Sequence, residues 1–304
     1  MLLLVYKRTK YIHFYIYRIM TENSNSIKQY HAVGFELSKH LTKAYSTSFY
    51  SATQLFGKET RKAIHSIYGF VRIADEIVDT FQGFDKKSLL QKFEADYYTA
   101  YSQGVSSNPI LHSFQLTVKK YDIPQEYIVE FLSSMRADLE KKVYLSKSEM
   151  NDYIYGSADV VGLMCLKVFC GKNQNLFQSL FVPAMRLGSA FQKVNFLRDL
   201  KEDVKVLGRN YFPDISIDNF DEKSKELLIK DIQNDFDEAY AGIKKLPEDS
   251  RLAVMVAYKY YLALLNKIKK TPANELMNRR VRVHNFKKML LLSTAFVKHT
   301  LNIS

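Results

Sequence analysis

Two pairs of aspartates at helical spacing are the residues of this chain best placed to do chemistry. Asp75 and Asp79 stand four apart in Ala74-Asp75-Glu76-Ile77-Val78-Asp79, and Asp199 and Asp203 stand four apart in Arg198-Asp199-Leu200-Lys201-Glu202-Asp203. Residues four apart share a helix face, so each pair aims two carboxylates the same way. Set opposite each other, the pairs would form a cage of hard oxygen ligands suited to magnesium and a polyphosphate. Further polar side chains stand in register. Tyr68, Arg72, Asp75 and Asp79 follow at intervals of four, three and four; Gly188, Gln192, Asn195, Asp199 and Asp203 follow at four, three, four and four. Arg72 and Arg198 are spaced to grip an anion beside the metal, and Asn195 can add an amide oxygen. One such pair alone is usually a solvated helix face. Here both stripes run through apolar sequence, where an unpaired carboxylate is costly, so a cation is expected close by. Glu76 and Glu202 lie about 100° off their stripes, where a supporting or solvated position is the default.

The elements that must carry these stripes are helices. Only 11 glycines and 6 prolines occur in 304 residues, 47% of them apolar, and sustained period-2 alternation is absent, which makes the chain all-α. Breaks fall at Gly83, at 104–109, at 122–124 and at 171–173. The longest irregular piece, 207–220, directly follows the second acidic pair, as a lid or binding loop would. Nothing marks an interdomain linker or a solenoid repeat, so residues 20–304 are read as one domain. The first nineteen residues carry apolar runs of about five between charges, short of a signal core or a membrane span. Met20 followed by a polar stretch looks like the true start, and residues 1–19 like a mis-called extension.

Net charge is +12, from 44 basic and 32 acidic residues. The basic residues are dispersed, and no nucleic-acid motif accompanies them; an anionic small molecule or a membrane surface remains. Cys165 and Cys170 fit neither a disulfide framework nor a zinc spacing and read as buried thiols in a reducing cytoplasm. No glycine-rich dinucleotide fingerprint exists. Ser46-Thr47-Ser48-Phe49-Tyr50 reads equally as capping hydroxyls or as ligands to an anion. The apolar segment 160–169 is ordinary helix core or the wall of a cavity.

Taken together, these stretches resemble the head-to-head prenyl synthases, the family of phytoene, squalene and dehydrosqualene synthases. The resemblance rests on Tyr45 to Tyr50, Ile67 to Asp79, Tyr155 to Gly162, Gly188 to Asp203, Gly208 to Pro213 and Asn278 to Val283, in that order, over about residues 27–295. It implies an all-α isoprenoid synthase fold with helices around a central apolar cavity, in which two allylic diphosphates are joined at their C1 ends. Asp75, Asp79, Asn195, Asp199 and Asp203 match metal-binding positions, for two or three magnesium ions. Ser46, Ser48, Tyr68, Arg72, Gln192, Arg198 and Arg280 match positions that contact the diphosphates. By the same resemblance Phe49 and Tyr155 would line the cavity, and Tyr211 would contact substrate from the flap after the second motif.

Within the family the overall similarity is to bacterial phytoene synthases, implying two geranylgeranyl diphosphates as substrates, a cyclopropyl diphosphate intermediate, phytoene as product and no need for NADPH. The alternative is a squalene or dehydrosqualene synthase using farnesyl diphosphate. A non-catalytic assembly protein of the same fold would have lost aspartates or arginines, and here none of the matched ones is missing. A water-insoluble product and a basic chain also suit a cytoplasmic protein with peripheral membrane contact.

Overall fold

The computed structural model describes residues 25–213, 215 and 220–282, and among them every extended regular element is a helix. The suggested extension 1–19 and start at Met20 lie outside the described residues. Helix α1 covers 25–45. It is followed by α2 (Thr47–Thr53), α3 (Lys58–Asp79), α4 (Lys86–Gln103), α5 (Pro109–Lys120), α6 (Gln125–Glu140) and α7 (Lys147–Ile154). A π-helical turn, Tyr155–Asp159, joins α7 to α8 (Val160–Cys170); then come α9 (Gln174–Lys205), α10 (Glu222–Ile243), α11 (Glu248–Lys270) and the short α12 (Ala273–Leu276).

The breaks fall where the sequence puts them. Gly104 closes α4 in the left-handed region at φ 77°, a conformation glycine adopts without steric cost. Asn108 then accepts from the backbone of Ile110 and Leu111, with Pro109 in the first helical turn of α5, satisfying amides the helix leaves open. Asp85, Ser146, Asn173 and Asp221 cap α4, α7, α9 and α10 in the same manner.

Helices α3 and α9 carry the two stripes, and both are anchored by their far faces. Phe70 of α3 is fully buried, stacked on Phe114 of α5 at 4.0 Å between ring centres and touching Phe93, Tyr97 and Phe131. That aromatic cluster turns Tyr68 and Arg72 to the other side of the helix. On α9, the buried Lys193 ammonium reaches Asp235 at 2.8 Å on α10. Pro183 of α9 rests so close to Gly242 of α10 that any side chain at 242 would meet its ring at 2.3 Å. The stretch Lys147–Cys170 is long and apolar enough to cross a membrane by length and composition, but it packs against α3, α6 and α9 and serves as core.

Candidate active site

The two stripes read from the sequence lie on α3 and α9 and border one cavity of about 940 Å³. Tyr68 and Arg72 line it from α3, Gln192, Asn195 and Arg198 from α9, Ser46, Ser48 and Phe49 from the start of α2, and Arg280 from the segment after α12. The rest of the wall is apolar. Phe49 stacks on Tyr68 at 5.2 Å and Phe191 on Tyr261 at 3.9 Å, while Phe56 and Phe169, stacked at 5.3 Å, and Leu166 line it further along. Cys165 is also on this wall; burial pushes its thiol up to about 12, so it stays protonated and inert. Ser46 Oγ accepts from the Phe49 amide as the cap of α2, and the residue lines the cavity.

Asp75, Asp79, Asp199 and Asp203 continue the stripes one or two turns beyond the cavity, at its polar end. They influence one another across the gap between helices. Burial, reinforced by Asp79 and opposed by Arg72, pushes the Asp75 carboxyl up to about 8. The Asp203 carboxyl is pushed up to about 7 by burial and by Asp199, with Asp79 of the other helix adding to the rise. Arg209 ties the two ends together. Its backbone amide donates to the Asp203 carbonyl at 2.7 Å, and its guanidinium donates to Asp79 Oδ1 and to the Asp138 carbonyl, each at 3.0 Å.

Asp138 is the functional candidate that sequence reasoning missed. It sits near the end of α6, accepts from the Tyr153 hydroxyl at 2.9 Å, and leaves Oδ1 buried with no hydrogen bond. Burial and nearby Asp79 outweigh Arg209 and push it up to about 7. No helical stripe marks it, because its neighbours here come from 153 and 209, distant in sequence.

Two expectations need correction. Tyr155 does not line this cavity; at the start of the π-helical turn it borders a smaller one, with Asp159, Arg186 and Lys193. Tyr211 is no open flap residue. Its ring lies buried, stacked on Phe196 at 4.0 Å and on Tyr153 and Tyr144, and a bridge between Val143 and Asn210 holds that segment down. Glu76 takes the supporting one of its two expected positions. It is buried one turn from Arg72 and bonded to that guanidinium, which also lies over the Tyr45 ring at 4.4 Å.

The arginines at the cavity rim are therefore held by carboxylates. Arg198 Nε donates to Asp199 Oδ1 at 3.0 Å, and Arg280 Nε reaches the same oxygen at 2.6 Å. Among the described residues no three His, Cys, Asp or Glu side chains converge tightly enough to hold a metal by themselves. The donor set still fits a magnesium ion. Asp75, Asp138 and Asp203 are carboxyls whose negative charge is under-compensated, and Asn195 Oδ1 is buried without a partner. Magnesium characteristically takes one or two protein carboxylates and completes its shell with phosphate oxygens and water.

The squalene/phytoene synthase family model matches residues 42–287. The chain belongs to that family. A phytoene synthase of Arthrospira platensis is 30% identical over 286 residues, covering 86% of this chain and 92% of that one. A 15-cis-phytoene synthase of Synechocystis is 28% identical, covering 87% of this chain and 85% of its own length. Among solved structures, a dehydrosqualene synthase in complex with ligand superposes with a TM-score of 0.77 at 23% identity, over 90% of this chain and 98% of that one. A squalene synthase from Alicyclobacillus acidocaldarius gives 0.69 at 22% identity, over 81% and 95%. These structures carry the isoprenoid synthase fold to this chain.

Proposed function

We propose that this member of the family, a prenyltransferase, condenses two geranylgeranyl diphosphates head to head (C1′-2-3) to phytoene, by way of a cyclopropyl diphosphate, in the first committed step of carotenoid biosynthesis. One observation carries the reading: two facing aspartate stripes and three arginines crown the polar end of a cavity that is otherwise apolar and aromatic. That is the arrangement needed to hold a diphosphate while its prenyl tail is kept from water. The choice of the C20 substrate is supported by the relatives named phytoene synthase. Farnesyl diphosphate, giving dehydrosqualene or squalene, is the second reading, favoured by the names of the similar structures.

Asp75, Asp79, Asn195, Asp199 and Asp203, with Asp138 beside them, would hold two or three magnesium ions. When bound, magnesium neutralises charge on the leaving diphosphate. The protein's own residues do the rest. Arg72, Arg198 and Arg280 offer N–H donors toward the cavity. An arriving diphosphate competes with Glu76 and Asp199 for them, so the carboxylates keep these side chains extended and pre-organised. Ionisation of the allylic C–O bond then leaves a carbocation beside the Phe49–Tyr68 and Phe191–Tyr261 stacks, whose ring faces favour positive charge, in a wall that excludes water. Tyr68 keeps its proton, because burial raises its phenol to about 12, and acts as a hydrogen-bond donor.

Product analysis tests the reading. Purified protein is incubated with geranylgeranyl or farnesyl diphosphate, with and without magnesium and NADPH. A C40 triene formed from geranylgeranyl diphosphate without NADPH is the expected result. Substituting Asp75→Ala or Asp199→Ala should abolish magnesium-dependent diphosphate release; full turnover in both variants would refute the two-stripe mechanism. Product from farnesyl diphosphate alone would move the assignment to the C30 enzymes. An inert chain with intact folding would favour a non-catalytic role.

A further inference from the structure

The smaller cavity, about 430 Å³, lies between α9 and α7 with its π-helical turn, and its volume is in the range that holds a small molecule. It is separate from the large one. Ser157 and Ala158 of the π-helical turn line the large cavity, whereas Tyr155 and Asp159 of the same turn line this one. Gly188 of α9 packs tightly against that wall: a methyl group there would meet the Ala158 carbonyl at 2.9 Å and Asp159 Oδ1 at 3.0 Å.

Both cations that line the smaller cavity are already committed. Lys193 pairs with Asp231 at 2.5 Å and Asp235 at 2.8 Å on α10, and Arg186 pairs with Asp235 at 3.3 Å and Glu238 at 3.0 Å. Asp159 is left over. It is only 5% exposed, and its Oδ1 accepts from Ser189 Oγ at 3.0 Å. Among the described residues no Lys, Arg or His forms an ion pair with it. Burial pushes its carboxyl up to about 7, with Asp235 adding and the Ser189 bond, Lys193 and Arg186 opposing. With Asp152 at the edge, the lining and its ion-pair partners hold five carboxylates against two cations, in a chain whose net charge is +12.

A buried carboxylate with no counter-charge is costly, so the vacancy beside Asp159 calls for a cation. A metal ion asks for several oxygens at once. One carboxylate beside a hydroxyl, with Ile154, Met185 and Tyr155 along the sides, suits an organic ammonium, which joins N–H donors to an alkyl body. Asp152 stands seven residues before Asp159 on the same run of helix, roughly 10 Å along its axis, and offers a second anionic end.

We propose that this cavity binds an aliphatic diamine, with one ammonium on Asp159 and Ser189, the carbon chain along Ile154 and Met185, and the other ammonium at Asp152. The site stands whichever diphosphate the large cavity takes.

Titration calorimetry of the full chain with the straight-chain six-carbon diamine, hexamethylenediamine, tests it at about pH 8, where Asp159 and the ligand are both charged, with magnesium present. A dissociation constant below about 1 mM is expected, and the six-carbon diol, of equal length without charge, should bind at least about tenfold more weakly. Asp159→Asn keeps a partner for Ser189 and removes the charge; it should weaken the diamine at least about tenfold without lowering the thermal midpoint. Val182→Lys sets a cation at an edge position that is 54% exposed, leaves the core untouched, and should weaken binding at least about threefold. The variant Asp75→Ala/Asp199→Ala should bind as the parent does. The proposal falls if the parent does not bind, if the diol binds as tightly, or if either the Asp159 or the Val182 variant binds as the parent does. It falls equally if the Asp75/Asp199 variant loses binding, which would put the diamine at the acidic end of the large cavity.

Discussion

Replacing Arg209 with methionine, which keeps the length and removes the charge, should destabilise the fold by an amount that depends on pH. Arg209 is 7% exposed and donates to the Asp138 carbonyl and to Asp79 Oδ1. Losing the bond to the part-buried carbonyl costs about 1–2 kcal/mol. Asp79 is half in water, with its side chain 46% exposed, so that pair contributes no more than about 1 kcal/mol. The Asp138 carboxyl adds a part that varies with pH. It titrates near 7 with Arg209 opposing the rise, and without that guanidinium it rises further. Well below 7 the carboxyl is protonated in parent and variant alike, and its charge drops out. Above 7 the parent is ionised beside Arg209, whereas the variant must take up a proton, at about 1.4 kcal/mol per pH unit. The expected loss is therefore roughly 2 kcal/mol at pH 6 and roughly 3 kcal/mol at pH 8. Urea unfolding of both proteins at the two pH values measures it. A loss that is equal at both, or larger at pH 6, would refute the electrostatic argument.

Two further outcomes follow from packing and burial. A methyl group at Gly156 would meet Ser134 Oγ at 2.0 Å and the Glu130 carbonyl at 2.6 Å, so Gly156→Ala should cost about 1–3 kcal/mol by overpacking. Adding Ser134→Ala should restore only part of that thermal midpoint, because the backbone clash stays; full restoration would mean that the backbone is not the obstacle. His65 is buried against Thr53 at 2.8 Å, and burial, with Arg61 and Lys39 adding, pushes its imidazole down to about 4. Its unfolded-state value is near 6.5, so between pH 6.5 and 4 the unfolded chain takes up a proton that the folded one refuses. Stability should fall across that window as pH falls, by roughly 3 kcal/mol for this group. The His65→Gln variant should show a flatter profile there; an unchanged slope would assign the loss to other groups.

The sequence by itself determined the helical class, the main breaks and which side chains share the two stripes. Those signals are local. A residue four places on lies on the same helix face whatever surrounds it, and Gly104 or Asn108 ends or starts a helix through its own backbone and side chain. Tyr68, Arg72, Gln192, Asn195 and Arg198 therefore fell on the cavity side as their spacing requires. Tertiary structure decided what depends on distant partners. Asp138 became part of the acidic cluster because Arg209 and Tyr153 arrive from other segments. Which of its two default positions Glu76 takes was settled by burial and the bond to Arg72. Tyr155 stands at a single π-helical turn, which leaves no mark in composition, and borders a different cavity. Tyr211, expected on a flap, was claimed by an aromatic stack drawn from three other stretches of chain. Spacing fixes the face of a helix; only packing settles which charges on that face are left for a ligand.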